Sequence, residues 1–153
     1  MNKRLCPLTE NHLFTIAYRK GSCDVNKLCA VYVMKNIKRT PDGNPLPTRL
    51  GIAVNAKLGG AVQRNRVKRI IREGYRKLLP EISPGLIIVI SARGAIFSKH
   101  AKSTGVMTAL DTSFKNLGVY SGQTLVKKSA DARKTFKGNK GQMPHKNGKS
   151  VKN

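Results

Sequence analysis

Lys57-Leu-Gly-Gly-Ala-Val-Gln-Arg64-Asn65-Arg66-Val-Lys68-Arg69-Ile-Ile-Arg72 writes an apolar stripe and a cationic stripe onto one helix. At about 100° per residue, Val67, Ile70, Ile71, Gly74 and Leu78 share a face, and that face requires a core. Arg64, Lys68, Arg72 and Arg76 follow one another at four-residue intervals, with Asn65 and Arg69 beside them and Arg66 and Lys77 on the far flank. Five of the nine residues from Arg64 to Arg72 are cationic. Like charges four apart cost an isolated helix roughly 0.2–0.5 kcal/mol per pair, and only Glu73 offsets any of this within the segment. Solvated helix faces normally mix signs. The pattern therefore predicts a helix that grips a polyphosphate.

The neighbouring segments place this helix in a fold. Gly59-Gly60 permits a tight turn into a helix over about 61–79, and Pro80 and Pro84-Gly85 stop it. A strand over 49–54 precedes the helix and an apolar strand over 86–92 follows it, which makes a βαβ unit with parallel strands. Upstream, 28–34 reads as a strand, with Val31 and Val33 on one side and Ala30 and Tyr32 on the other. The turn-rich loop 36–47 joins it to the 49–54 strand, and the two are expected to pair antiparallel. A first helix begins at Thr9 or Asn11 as N-cap, places Phe14 and Tyr18 on one face, and ends at Gly21. A last helix over 103–117 carries Val106, Leu110, Phe114 and Leu117 as a core stripe and stops at Gly118.

Thirty Lys and Arg against seven Asp and Glu give a net charge of +23, a balance that suits nucleic acid or an anionic surface. The apolar runs 28–34 and 86–90 are far shorter than the roughly 20 residues a spanning helix needs, so no membrane is expected. The start Met1-Asn-Lys-Arg-Leu-Cys-Pro7 has no apolar region behind its charge, and the expected location is cytoplasmic. Cys6, Cys23 and Cys29 lack paired spacing, and His12, His100 and His145 are scattered, so neither disulfides nor a metal site are expected. The length suits one domain over 1–120. From 121 to 153 the chain turns to Lys, Gly, Ser and Asn, with nine cations and one acid, and reads as a disordered basic tail.

Phosphodiester hydrolysis by protein-held metals needs converging carboxylates. Glu10, Asp24, Asp42, Glu73, Glu81 and Asp111 fall in separate segments without D-x-D or D-x-x-E pairing, and no phosphate loop of the G-x-x-x-x-G-K-[ST] type occurs. No catalytic residue is assigned. What remains is a binding surface: the cationic helix for phosphates, and Phe14, Tyr18 and Tyr32 as candidate platforms for unpaired bases. This favours single-stranded or folded RNA over duplex DNA. Core packing is the competing reading for Phe14 and Tyr18, with the Tyr18 hydroxyl favouring a partly wet position.

From about Leu8 to Leu117 the chain resembles the protein component of bacterial ribonuclease P. The resemblance centres on Lys57-x-Gly59-x-Ala61-Val62-x-Arg64-Asn65-Arg66-x-Lys68-Arg69-x-x-Arg72, joined by the Phe14/Tyr18 helix and the flanking strands. It implies an α+β fold: a two-layer α-β-β-β-α-β-α sandwich resembling a small-subunit ribosomal protein domain, with a left-handed βαβ crossover and a weak first strand near 22–25. It also implies an endoribonuclease acting as a ribonucleoprotein, in which an RNA subunit with its own Mg2+ removes the 5′ leader of precursor tRNA and the protein alone is inactive. The implied partners are ribonuclease P RNA, with one protein per RNA, and precursor tRNA. By position, Phe14, Tyr18 and Tyr32 would line a leader cleft with Asn65, Lys68 and Arg72 along its edge. Lys57, Gly59, Gly60, Arg64, Asn65, Arg66, Lys68, Arg69 and Arg72 would meet the catalytic RNA. Among these, Arg64, Arg66, Arg69 and the Gly59-Gly60 turn would contact phosphate. The chain departs from the common pattern at Gly60, often Asn in the family, at Asn55-Ala56, often Ser-Lys, and in its longer tail.

A structural ribosomal or other RNA-scaffold protein would share the charge, the tail and even the fold, without needing the aromatic cleft. A DNA-binding reading lacks a helix-turn-helix pair or a dimerisation stripe.

Overall fold

A computed structural model of the chain describes residues 4–98 and 100–125. Its elements are β1 (Cys6–Pro7), α1 (Asn11–Lys20), β2 (Ser22–Val25), β3 (Cys29–Lys35), β4 (Arg49–Ala53), α2 (Ala61–Leu78), β5 (Leu86–Ala92) and α3 (Ser103–Leu117). Five strands form one sheet in the order β1-β4-β5-β3-β2. β4 and β5 run parallel, Ile52 opposite Ile90, as the βαβ reading requires. β2 is present and pairs antiparallel with β3.

β3 and β4 do not pair with each other, contrary to the sequence expectation. β5 lies between them, antiparallel to β3 and parallel to β4. Its composition explains this: all seven residues of β5 are buried, and a strand apolar on both faces belongs at the centre of a covered sheet. The two-residue β1 was not anticipated; it adds to the β4 edge, and the Leu8 N–H continues the ladder to the Leu50 carbonyl at 2.8 Å.

Alternation along the strands sends side chains to two cores. Val31, Val33, Leu50, Ile88 and Ile90 meet Val67, Ile70 and Ile71 of α2 and Val106, Leu110, Phe114 and Leu117 of α3. Tyr32, Ala30, Ile87 and Val89 meet Ala17 and Tyr18 of α1 on the other face. Each fully buried aliphatic side chain contributes about 1.5–3 kcal/mol. Helices thus cover both faces, and the expected two layers become three.

Neither Thr9 nor Asn11 caps α1. The cap position is Glu10, which makes no side-chain cap bond; its carboxylate is paired with Arg49 Nη2 at 2.7 Å. α2 and α3 cross closely, since a Cβ on Gly74 would lie 3.0 Å from the Met107 nitrogen and 3.1 Å from the Ser103 carbonyl oxygen. α3 ends at Gly118, whose φ of 73° is the left-handed region that glycine adopts without penalty. Asn26 ties the β2–β3 turn to α3, its Oδ1 accepting from the Cys29 N–H at 2.8 Å and its Nδ2 donating to Ser113 Oγ at 2.9 Å. The chain stays on the body through residue 125: the Ser121 N–H donates to the Glu81 carbonyl and Leu125 packs against the larger core. The rest of the expected tail, 126–153, lies outside the described residues. No helix among the described residues is long and apolar enough to cross a membrane.

Candidate nucleic-acid interface

α2 is launched by polar capping and close packing. Asn55 is buried, and its Oδ1 accepts the Lys57 N–H at 2.8 Å, which closes the short 3₁₀ turn Ala56–Leu58. Gln63 Oε1 then accepts the Gly60 N–H at 3.0 Å. A Cβ on Gly59 would sit 2.6 Å from Gln63 Oε1 and 2.9 Å from the Phe97 ring, so a side chain there would have to displace both. Gly60, by contrast, faces open space. The predicted apolar stripe is confirmed at Val67, Ile70, Ile71 and Gly74, with Tyr75 also buried.

The outward face is cationic but not uniform. Arg64 Nη1 turns back to the Gly59 carbonyl at 2.7 Å, and Arg66 Nη2 donates to the Ala101 carbonyl at 2.6 Å. Both arginines are half-buried. Each guanidinium is thus held in part by the protein, which fixes its direction without removing its charge. Lys68, Arg69 and Arg72 have no hydrogen bond or ion pair among the described residues. Together with Val62, Asn65 and Arg66 they line one shallow depression along the helix. Lys57 is exposed on the 3₁₀ turn before it. The ion pairs Arg49–Glu10 and Lys115–Asp111 lie on other elements.

The aromatic trio lies across the sheet from α2. Tyr18 and Tyr32 are only 3% and 5% exposed and meet edge to face, with centroids 4.9 Å apart and planes at 88°. The partly wet position expected for Tyr18 is not found: the hydroxyl is buried near Ser91, and burial pushes its pKa well above the ordinary phenol value. α1 lies flat on the sheet, which leaves both rings no open face. Phe14 is half-buried, its ring lying so close over Gly51 that a Cβ there would approach to 2.5 Å. The structure thus gathers Asn65, Lys68, Arg69 and Arg72 into one place and Phe14, Tyr18 and Tyr32 into another, on the opposite face.

Sequence reasoning missed the Arg64 and Arg66 carbonyl bonds, the Phe97 contact with Gly59 and the Glu10–Arg49 pair. Of these, only the Phe97 contact left a trace in the sequence, as one of two large apolar residues, with Ile96, in the short connection between β5 and α3. In that pair the Arg49 guanidinium holds the Glu10 carboxyl down at about 2. Two other carboxylates also have partners: Tyr120 donates to Asp111 Oδ1 at 2.5 Å, which together with Lys115 lowers the Asp111 pKa, and Asn116 Nδ2 donates to Asp24 Oδ2 at 3.5 Å. Among the described residues no group of three His, Cys, Asp or Glu could hold a metal ion.

A family model described as Ribonuclease P matches residues 2–118. The chain belongs to the ribonuclease P protein component family. The ribonuclease P protein component of Clostridium perfringens is 36% identical over 123 residues, covering 80% of this chain and 96% of that one. That of Clostridioides difficile is 38% identical over 105 residues, covering 68% and 81%. Among solved structures, the Staphylococcus aureus RNase P protein aligns with a TM-score of 0.64 at 28% identity, covering 77% of this chain and all of the other. The Thermotoga maritima RNase P protein aligns with a TM-score of 0.61 at 27% identity, covering 72% and 96%. These ribonuclease P proteins share the mixed α+β fold, with its five-stranded sheet and three helices in this chain.

Proposed function

We propose that this chain is the RNA-docking and leader-recognising subunit of a ribonucleoprotein ribonuclease P, with one protein per RNA. The observation that carries this reading is the α2 surface, where Lys68, Arg69 and Arg72 surround a shallow depression and no acidic side chain neutralises them. Such charge is costly unless a polyanion supplies the partner. Lys57 and the Gly59-Gly60 turn extend this surface at the start of the helix, and membership of the ribonuclease P family supports ribonuclease P RNA as the occupant.

The 5′ leader of precursor tRNA is assigned to the α1 side, where the half-buried ring of Phe14 is the one aromatic of the trio with an accessible edge. Tyr18 and Tyr32 form the floor that seats α1, while Asn65, Lys68 and Arg72, on the opposite face of the sheet, serve the catalytic RNA rather than the leader. Hydrolysis, with its Mg2+, is assigned to the RNA. The donor set of this chain does not suit that ion, since Glu10 and Asp111 are engaged by Arg49 and by Tyr120 and Lys115.

Precursor tRNA incubated at low Mg2+ with the chain, with catalytic RNA, and with both tests the reading. Cleavage is expected to be fastest with both and absent with the chain alone; hydrolysis by RNA-free chain overturns it. Phe14→Ala is expected to weaken binding of precursor tRNA by the complex while leaving mature tRNA nearly unaffected. Equal losses for the two would remove Phe14 from the leader contact.

A further inference from the structure

The connection from β5 to α3 is fastened to α2 in a way that brings a second element to the cationic surface. Ile96 is fully buried and Phe97 lies against Gly59, anchoring the start of the connection. Farther along, the Ala101 N–H donates to the Ser98 carbonyl at 3.0 Å, and the Ala101 carbonyl accepts from Arg66 Nη2 at 2.6 Å. The next residue, Lys102, is exposed, and its ammonium has no hydrogen bond or ion pair among the described residues. α3 begins at Ser103 and is pinned against α2 at Gly74. Lys102 is therefore held from both sides at a set place relative to α2. On the helix wheel Arg66 stands between Arg69 and the side facing α3, so the charge continues from Arg69 over Arg66 to Lys102. The sequence has no acidic residue between Arg93 and Leu110 to interrupt it.

We propose that Lys102 is a phosphate contact of the RNA-docking surface, and that Arg66 is a positioning residue that holds it in line with Arg69. This rests on the reading of α2 as the RNA-docking element. An arginine suits the task because its planar fork fixes direction while the rest of its charge still faces the ligand.

Binding of ribonuclease P RNA by the full chain, measured from 50 to 200 mM salt for Lys102→Ala, Arg66→Ala, the double variant and Arg69→Ala, tests the proposal. Lys102→Ala is expected to loosen binding and to flatten the salt dependence by about one phosphate, so that its affinity falls about threefold less over that range. The double variant is expected to bind no worse than Arg66→Ala, the non-additivity that marks one residue acting through another. Unchanged affinity and salt slope for Lys102→Ala, with Arg69→Ala impaired, would overturn the proposal and leave α2 docking intact. Losses that simply add would overturn the positioning role. If Arg69→Ala and Lys102→Ala are both silent, the docking reading itself falls. Lys102 is exposed, so its substitution tests the contact even if Arg66→Ala disturbs folding.

Discussion

The two faces of the sheet use their helices in opposite ways. α2 buries Val67, Ile70, Ile71 and Tyr75 on one side and presents Lys68, Arg69 and Arg72 on the other, so core packing and cationic surface occupy different stripes of one helix. On the other face, aromatic residues go into packing: Tyr18 of α1 is buried against Tyr32 of β3, and Phe14 of α1 is half-buried. A cation such as Arg69 can be changed on α2 without touching the core. On the α1 side the rings are part of the core, and a substitution there disturbs packing.

The sharpest break in this contrast is Tyr18→Ala, which should cost about 3 kcal/mol by opening a cavity under α1, seen as a lower midpoint in chemical denaturation. A variant as stable as the parent would mean that the α1 layer contributes little. Gly74→Val should cost about 1–3 kcal/mol by forcing α3 off α2, again by denaturation, while leaving the α1 face unaffected. Arg69→Ala with Arg72→Ala should leave the melting temperature nearly unchanged but remove about two phosphates' worth of salt dependence, so affinity for RNA falls about tenfold less between 50 and 200 mM salt. A fall in melting temperature there would erase the separation of stripes.

Smaller effects follow from the edges. The Glu10 carboxyl sits at about 2, below its ordinary 4.5, because Arg49 bonds it. A carboxylate with a lowered folded-state pKa contributes stability above its unfolded value, and that contribution is lost as pH falls through the folded one. The melting-temperature difference between the parent and Glu10→Gln should therefore be constant above about pH 4.5 and vanish toward pH 2. A difference that persists at pH 2 would show that the pair is not its source. Gly60→Asn should raise stability by a few tenths of a kcal/mol, because the N-cap position faces open space and lacks a side-chain acceptor.

Local pattern carried most of the elements. The 3.6-residue spacing marked α2 and α3 closely, α3 to its terminal residues, because their apolar stripes are long and end at glycine or proline. Pairing of the strands was less legible. Adjacency in sequence favours a β3–β4 pair, whereas the sheet inserts β5, all seven of whose residues are buried. In the candidate site, the charge of α2 was evident from residue types alone. Which arginines face outward was not, since Arg64 and Arg66 are turned by carbonyls at Gly59 and Ala101, the latter 35 residues along the chain.

The sequence by itself determined that one helix must have a buried side and a densely cationic side, because both follow from residue spacing and charge within a single segment. Only the tertiary structure decided that Tyr18 is sealed, that Phe14 keeps an edge, and that Lys102 stands beside α2. Those outcomes depend on which elements are packed together, a matter of long-range burial and backbone hydrogen bonding that local spacing does not encode.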